Sequence, residues 1–104
     1  METIRAMAAR IAEHFHPEKI ILFGSYARGD ATVHSDVDFL VVLKECPPRG
    51  QRSAPIRLIL VREFHEPVDI VVRDIATFNA WKDVFHSISG QAAKEGIVLY
   101  DKAG

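Results

Sequence analysis

Apolar residues recur along this chain at two different periods. Between residues 3 and 15, Ile4, Met7, Ala8, Ile11, Ala12 and Phe15 fall at helical spacing, which predicts an amphipathic helix that Pro17 prevents from continuing. KIILF, Lys19 to Phe23, is a short β-rich run ended by Gly24. Val37 to Leu43 is a longer apolar run and reads as a buried strand. CPPRG, Cys46 to Gly50, is the clearest loop. Ser53 then offers an N-cap to a helix with Pro55 in its first turn, carrying Ile56, Ile59, Leu60 and Phe64 and ending near Pro67. Val68 to Val72 is a third strand, and Asp74 is placed to cap a helix through Trp81. A last helix runs from about Phe85 to Glu95 with Gly96 as its C-cap, before a closing strand, IVLY, Ile97 to Tyr100.

The resulting order, α-β-β-α-β-α-α-β, predicts an α/β (α+β) fold: a mixed β-sheet flanked by helices, in one domain spanning residues 1–104. A helix separates the second strand from the third, so a parallel right-handed crossover between them is expected. If these two strands are neighbours, their first residues share one sheet edge. The first strand enters that edge with its carboxyl end, where Gly24 and Ser25 follow.

Composition narrows the function classes. The 13 basic and 14 acidic residues nearly cancel, so no general polycation grips nucleic acid and no direct nucleic-acid binding is expected. No run approaches the ~18 apolar residues of a membrane span. The N-terminus carries Glu2, Arg5 and Arg10 and lacks the apolar stretch of a signal peptide, so a cytoplasmic protein with no membrane association is expected. The lone Cys46 excludes an intramolecular disulfide and reads as an incidental thiol. The five histidines show no repeated metal-ligand spacing. Tyr26, Trp81 and Phe85 read as packing residues, with an interface role open to Trp81 and Phe85. Arg57, Arg62 and Arg73 read as solvated charges unless the fold turns one inward.

The chemistry concentrates between Gly24 and Val42. Strand alternation puts Asp36 and Asp38 on the same side, and Asp69 starts the next strand. Three carboxylates at close range repel and raise one another's pKa, which a divalent cation relieves; oxygen ligands favour Mg²⁺ or Mn²⁺. Two such ions, about 3.5–4 Å apart, clamp an in-line displacement at phosphorus. Asp36, Asp38 and Asp69 are therefore the candidate metal ligands and catalytic residues. Each also has a plain reading as the polar start of a strand. Gly24 allows a sharp turn and close backbone approach, Ser25 offers a hydroxyl and an N–H to a phosphate oxygen, and Arg28 adds a charged donor. Gly24 to Gly29 has the glycine spacing of a P-loop, but Asp30 and Ala31 stand where Lys and Ser/Thr belong, so that reading fails.

Gly24-Ser25, ten intervening residues, Asp36-x-Asp38, then Asp69 in a following strand resembles the minimal nucleotidyltransferases, the MNT branch of the DNA polymerase β-like superfamily. The resemblance runs from KIILFGSYARGD to EGIVLYD. It implies the polymerase β palm-like nucleotidyltransferase fold, binding of ATP by Gly24 and Ser25, and two Mg²⁺ ions on Asp36, Asp38 and Asp69. It implies further that a chain this short lacks the helical domain that binds acceptor in larger relatives. Such domains pair with a small HEPN protein, as homo- or hetero-oligomers, in toxin–antitoxin systems where AMP is transferred from ATP to a tyrosine of the HEPN toxin. Two other functions stay open: an antitoxin acting by complex formation without catalysis, and a small-molecule nucleotidyltransferase of the aminoglycoside type.

Overall fold

The computed structural model describes residues 1–84 and 86–104. Phe85, the predicted start of the last helix and a predicted packing aromatic, lies outside the described residues. The elements are α1 (Glu2–Phe15), β1 (Lys19–Phe23), α2 (Ser25–Arg28), β2 (Val37–Leu43), a 3₁₀ turn (Arg49–Gln51), α3 (Ala54–Val61), β3 (Val68–Asp74), α4 (Ile75–Trp81), α5 (Ile88–Glu95) and β4 (Ile97–Asp101).

Helix α1 buries Ile4, Met7, Ala8 and Ile11, the stripe its spacing predicts. It stops where His16 turns left-handed (φ 48°) and donates its N–H to Ala12 O at 3.0 Å. The chain then enters a four-stranded sheet of order β3-β2-β1-β4. β1 lies between β2 and β4, antiparallel to both, and β2 and β3 are parallel, so the sheet is mixed as expected.

Alternation along the strands divides the core in two. Ile20, Leu22, Val37, Phe39, Val41, Ile70 and Val72 pack on one face with Ile4, Met7 and Ile11 of α1 and Ile56 and Leu60 of α3. Ile21, Phe23, Leu40 and Val42 pack on the other with Phe78 of α4 and Ala92 of α5. Asp38 and Asp69 share strand parity with Leu40, Val42 and Val71, so they belong to the α4–α5 side. Val37, Phe39 and Ile70, which flank the carboxylates in sequence, point to the opposite face.

Several elements differ from expectation for local reasons. α2 is a single turn that the sequence reading treated as loop. α3 ends at Val61, well before Pro67; Ser53 holds its N-cap position without a capping side-chain bond. β3 runs on to Asp74, which then caps α4 by accepting Thr77 N–H at 2.6 Å, as predicted for that helix. α5 begins at Ile88 because Ser87 caps it by accepting Gly90 N–H. Trp81 is 51% exposed and does not complete the core.

Gly96 closes α5 as expected, but in an extended conformation (φ −79°) rather than a left-handed one. What demands glycine is close approach. A Cβ there would overlap Ala92 O and Ile21 Cγ2 and sit 2.9 Å from Leu22 O of β1. Gly96→Ala should therefore destabilise the fold by about 1–3 kcal/mol, read as a lower urea midpoint at unchanged m-value. An unchanged midpoint would show that α5 does not press on β1 in this way.

Candidate active site

The pairing register assembles the site. Asp38 lies opposite Phe23 on β1 and opposite Asp69 on β3. The residue after Phe23 is Gly24, so the turn leaving β1 starts beside the head of β2. Gly24 is buried, with φ 77° and ψ −156°, a combination suited to glycine. A Cβ on it would run into Asp38 Oδ2 and stand 3.2 Å from Asp38 Cγ. The Gly24 backbone thus lies directly against the Asp38 carboxylate. Gly24 O accepts from Ala27 N (3.1 Å) and Arg28 N (3.0 Å), winding α2, and Gly29 ends it left-handed at φ 86°. The two glycines of the failed P-loop spacing thus bracket one helical turn. Ser25 begins that turn, where helix geometry leaves the first N–H groups without intrahelical partners.

The three carboxylates occupy unequal surroundings. Asp38 is half-buried; burial raises its pKa above the ordinary value, Asp69 and then Asp36 raise it further, and Arg28 lowers it. Asp36 is exposed, one residue ahead of β2. Asp69 has a side chain 56% exposed, so burial does not by itself demand a partner for it. Its partner is Arg57 of α3, whose Nη2 donates to Asp69 Oδ1 at 3.1 Å while Nη1 donates to Val68 O at 3.1 Å. Arg57 is the one arginine of the expected solvated set that the fold turns to the site. Nothing in the helical pattern marks it, because its role depends on where α3 ends relative to the start of β3. Arg28 sits between Asp30 (3.4 Å) and Glu95 (3.9 Å) and within electrostatic reach of Asp38. Tyr26 packs against the α1–α3 core, as expected. His34 lies in the exposed loop ahead of β2, its N–H donating to Thr32 Oγ1.

Among the described residues, no three His, Cys, Asp or Glu side chains stand in a ready metal-binding array. Asp36 and Asp69 lie by the same end of the sheet as Asp38 and both act on its charge, but Asp36 precedes the strand and Asp69 is drawn to Arg57. The donor chemistry nonetheless suits a hard divalent cation: every donor is oxygen, and the charge on Asp38 is opposed by both neighbours.

A family model described as a nucleotidyltransferase domain matches residues 4–99. The chain belongs to this nucleotidyltransferase domain family. Its fold agrees: the chain superposes on a solved toxin–antitoxin structure with AMP-PNP with a TM-score of 0.66 at 20% identity, over 93% of this chain and 73% of that one. The fold is thus the polymerase β-like nucleotidyltransferase fold. Two Methanocaldococcus jannaschii proteins match part of the sequence. "Putative protein adenylyltransferase MJ0141" is 46% identical over 41 residues, 39% of this chain and 41% of that protein. "Putative protein adenylyltransferase MJ1305" is 67% identical over 45 residues, 43% of this chain and 31% of that protein. The matched stretches thus span less than half the length of either relative. As in the sequence reading, no helix among the described residues is long and apolar enough to cross a membrane.

For this nucleotidyltransferase domain the raised pKa of Asp38 has a consequence for stability. The fold disfavours the charged carboxylate, so the contribution of Asp38 to stability is fully present below its unfolded pKa and is lost as pH rises through its folded value. Asp38→Asn should therefore melt higher than the wild type at neutral pH, and the difference should vanish on acidification below the ordinary aspartate range. Melting curves across pH check this; an Asp38→Asn protein less stable than wild type at neutral pH would contradict it.

Proposed function

We propose that this chain is a Mg²⁺-dependent nucleotidyltransferase that moves AMP from ATP to a hydroxyl of a protein partner, acting as the antitoxin of a HEPN-type toxin in the cytoplasm. The observation that carries this reading is the placement of Gly24 against the Asp38 carboxylate, which joins a turn suited to phosphate with acidic residues suited to a cation. The names of the two archaeal relatives support the adenylyl donor and protein acceptor, and the toxin–antitoxin neighbour with AMP-PNP supports the nucleotide and a toxin partner.

The roles follow from position. Gly24 presents bare backbone to the triphosphate, Ser25 offers its hydroxyl and N–H to phosphate oxygens, and Arg28 adds positive charge beside them. Asp36, Asp38 and Asp69 hold magnesium, which when bound neutralises phosphate charge and favours the ionised acceptor hydroxyl. Arg57 occupies Asp69 Oδ1 and so leaves Oδ2 to face other partners. In the reaction the acceptor oxygen attacks the α-phosphorus, the bond to pyrophosphate breaks, and Asp69 takes the hydroxyl proton.

Incubation of the protein with ATP, Mg²⁺ and a HEPN-type partner should add the mass of AMP to the partner. Asp36→Ala or Asp38→Ala should slow this by about 10²–10³ or more, by analogy with loss of one charge-stabilising group in an active site. Intact-mass spectrometry reads the result. An unmodified partner that the protein still inhibits would replace the enzymatic reading with inhibition by complex formation.

A further inference from the structure

Strand β3 lies at the edge of the sheet, so half of its backbone groups face away from β2. Val37 donates its N–H to Pro67 O at 2.9 Å, and the parallel register pairs Val37 with Val68. The backbone groups of Asp69, Val71 and Arg73 therefore face β2, and those of Val68, Ile70 and Val72 face outward. Two of the outward carbonyls are already met: Val68 O by Arg57 and Val72 O by Arg73 Nη1 at 3.0 Å. Among the described residues the N–H and C=O of Ile70 and the N–H of Val72 have no hydrogen-bond partner, and the two residues keep only 5% and 3% of their surface exposed, along this edge.

This stretch of edge forms one wall of a cavity of about 350 Å³ that Arg49, Arg52, Ser53 and Ile88 also line. A neighbouring cavity of about 290 Å³ shares Arg49, Arg73 and Ile88 and extends to Trp81. Three of the chain's arginines converge on these two cavities. Arg10, Arg28 and Arg57 each pair with a carboxylate. Among the described residues, Arg49, Arg52 and Arg73 make no ion pair with one; Arg52 donates to Pro47 O and Arg73 to Val72 O. Asp74, next to Arg73 in the chain, accepts Thr77 N–H and feels the charge of Arg52. Among the described residues no acidic side chain lines either cavity.

We propose that this groove docks an extended acidic segment of a protein, which hydrogen-bonds to β3 at Ile70 and Val72 while its carboxylates meet Arg49, Arg52 and Arg73. Backbone donors and acceptors in register along the edge favour a peptide over single-stranded RNA, which binds through stacked bases on several aromatic platforms; among the described lining residues Trp81 is the one aromatic. The groove starts one residue beyond Asp69. It therefore supplies an acceptor-binding surface to the reaction of the preceding subsection, and its role as acceptor site rests on that reading.

The probe is a fluorescein-labelled ten-residue peptide of alternating Glu and Val with a central Tyr, compared with its Glu→Lys counterpart and with a labelled ten-nucleotide oligouridylate, by anisotropy without ATP. The wild-type protein should bind the acidic peptide about tenfold or more tighter than the lysine peptide, and the triple variant Arg49→Gln, Arg52→Gln, Arg73→Gln should lose about tenfold in affinity. In the wild type, amide exchange at Ile70 and Val72 should slow on addition of the acidic peptide, a readout independent of how any variant folds. Equal binding of both peptides, tighter binding of the oligouridylate, or unchanged exchange at Ile70 and Val72 would overturn the proposal. ATP binding by the wild type, measured in parallel, separates failure of the groove from failure of the nucleotide site.

Discussion

The pairing of β2 with both its neighbours is the interaction on which everything else depends. Parallel register with β3 puts Asp69 beside Asp38; antiparallel register with β1 puts Phe23 there, and with it the turn at Gly24. A shift of one residue on either side would turn the carboxylates to the face occupied by α1 and α3 and bring apolar side chains to the edge. The register is held by the cores on both faces, since Phe39 and Val41 must meet α1 and α3 while Leu40 and Val42 meet α4. Packing that stabilises the fold and geometry that builds the site are consequently one constraint.

That constraint leaves the edge electrostatically unsettled. Asp38 is disfavoured as an anion by burial and by two carboxylates, with Arg28 opposing. Arg57 relieves only Asp69, and from the side of α3. A site of this kind trades stability for the capacity to hold cationic and phosphate groups, which is the usual signature of a functional site rather than of a structural ion pair.

Much of this was legible in the sequence, and the reasons are specific. The helical stripe of α1, the apolar runs of β1 and β2 and the cap at Asp74 depend on local periodicity and local hydrogen bonding, so they survive folding unchanged. Asp36, Asp38 and Asp69 were readable because strand parity and a crossover connection suffice to bring strand heads together. What was not readable depended on distant approach. α2 is bounded by two glycines with positive φ, of which only Gly29 is left-handed helical, and such a pattern around SYAR is equally compatible with a loop. Gly96 is required by close approach to Ile21 and Leu22 of β1 as well as to Ala92 O of its own helix. Arg57 and the row of Arg49, Arg52 and Arg73 acquire meaning only once β3 is known to be an edge strand. Apolar neighbours in sequence do not enclose the carboxylates, because Val37, Phe39 and Ile70 face the other side of the sheet.

The central claim is that the β1 turn and the heads of β2 and β3 form one site for a divalent cation and nucleotide. Titration of the isotope-labelled protein with Mn²⁺, in the presence of a non-hydrolysable ATP analogue, tests this directly through paramagnetic broadening of backbone amides. Broadening should appear first at Gly24, Ser25, Asp36, Asp38 and Asp69, and the amides of α1 should remain sharp. Broadening centred elsewhere, or none at these positions at saturating nucleotide, would contradict the account.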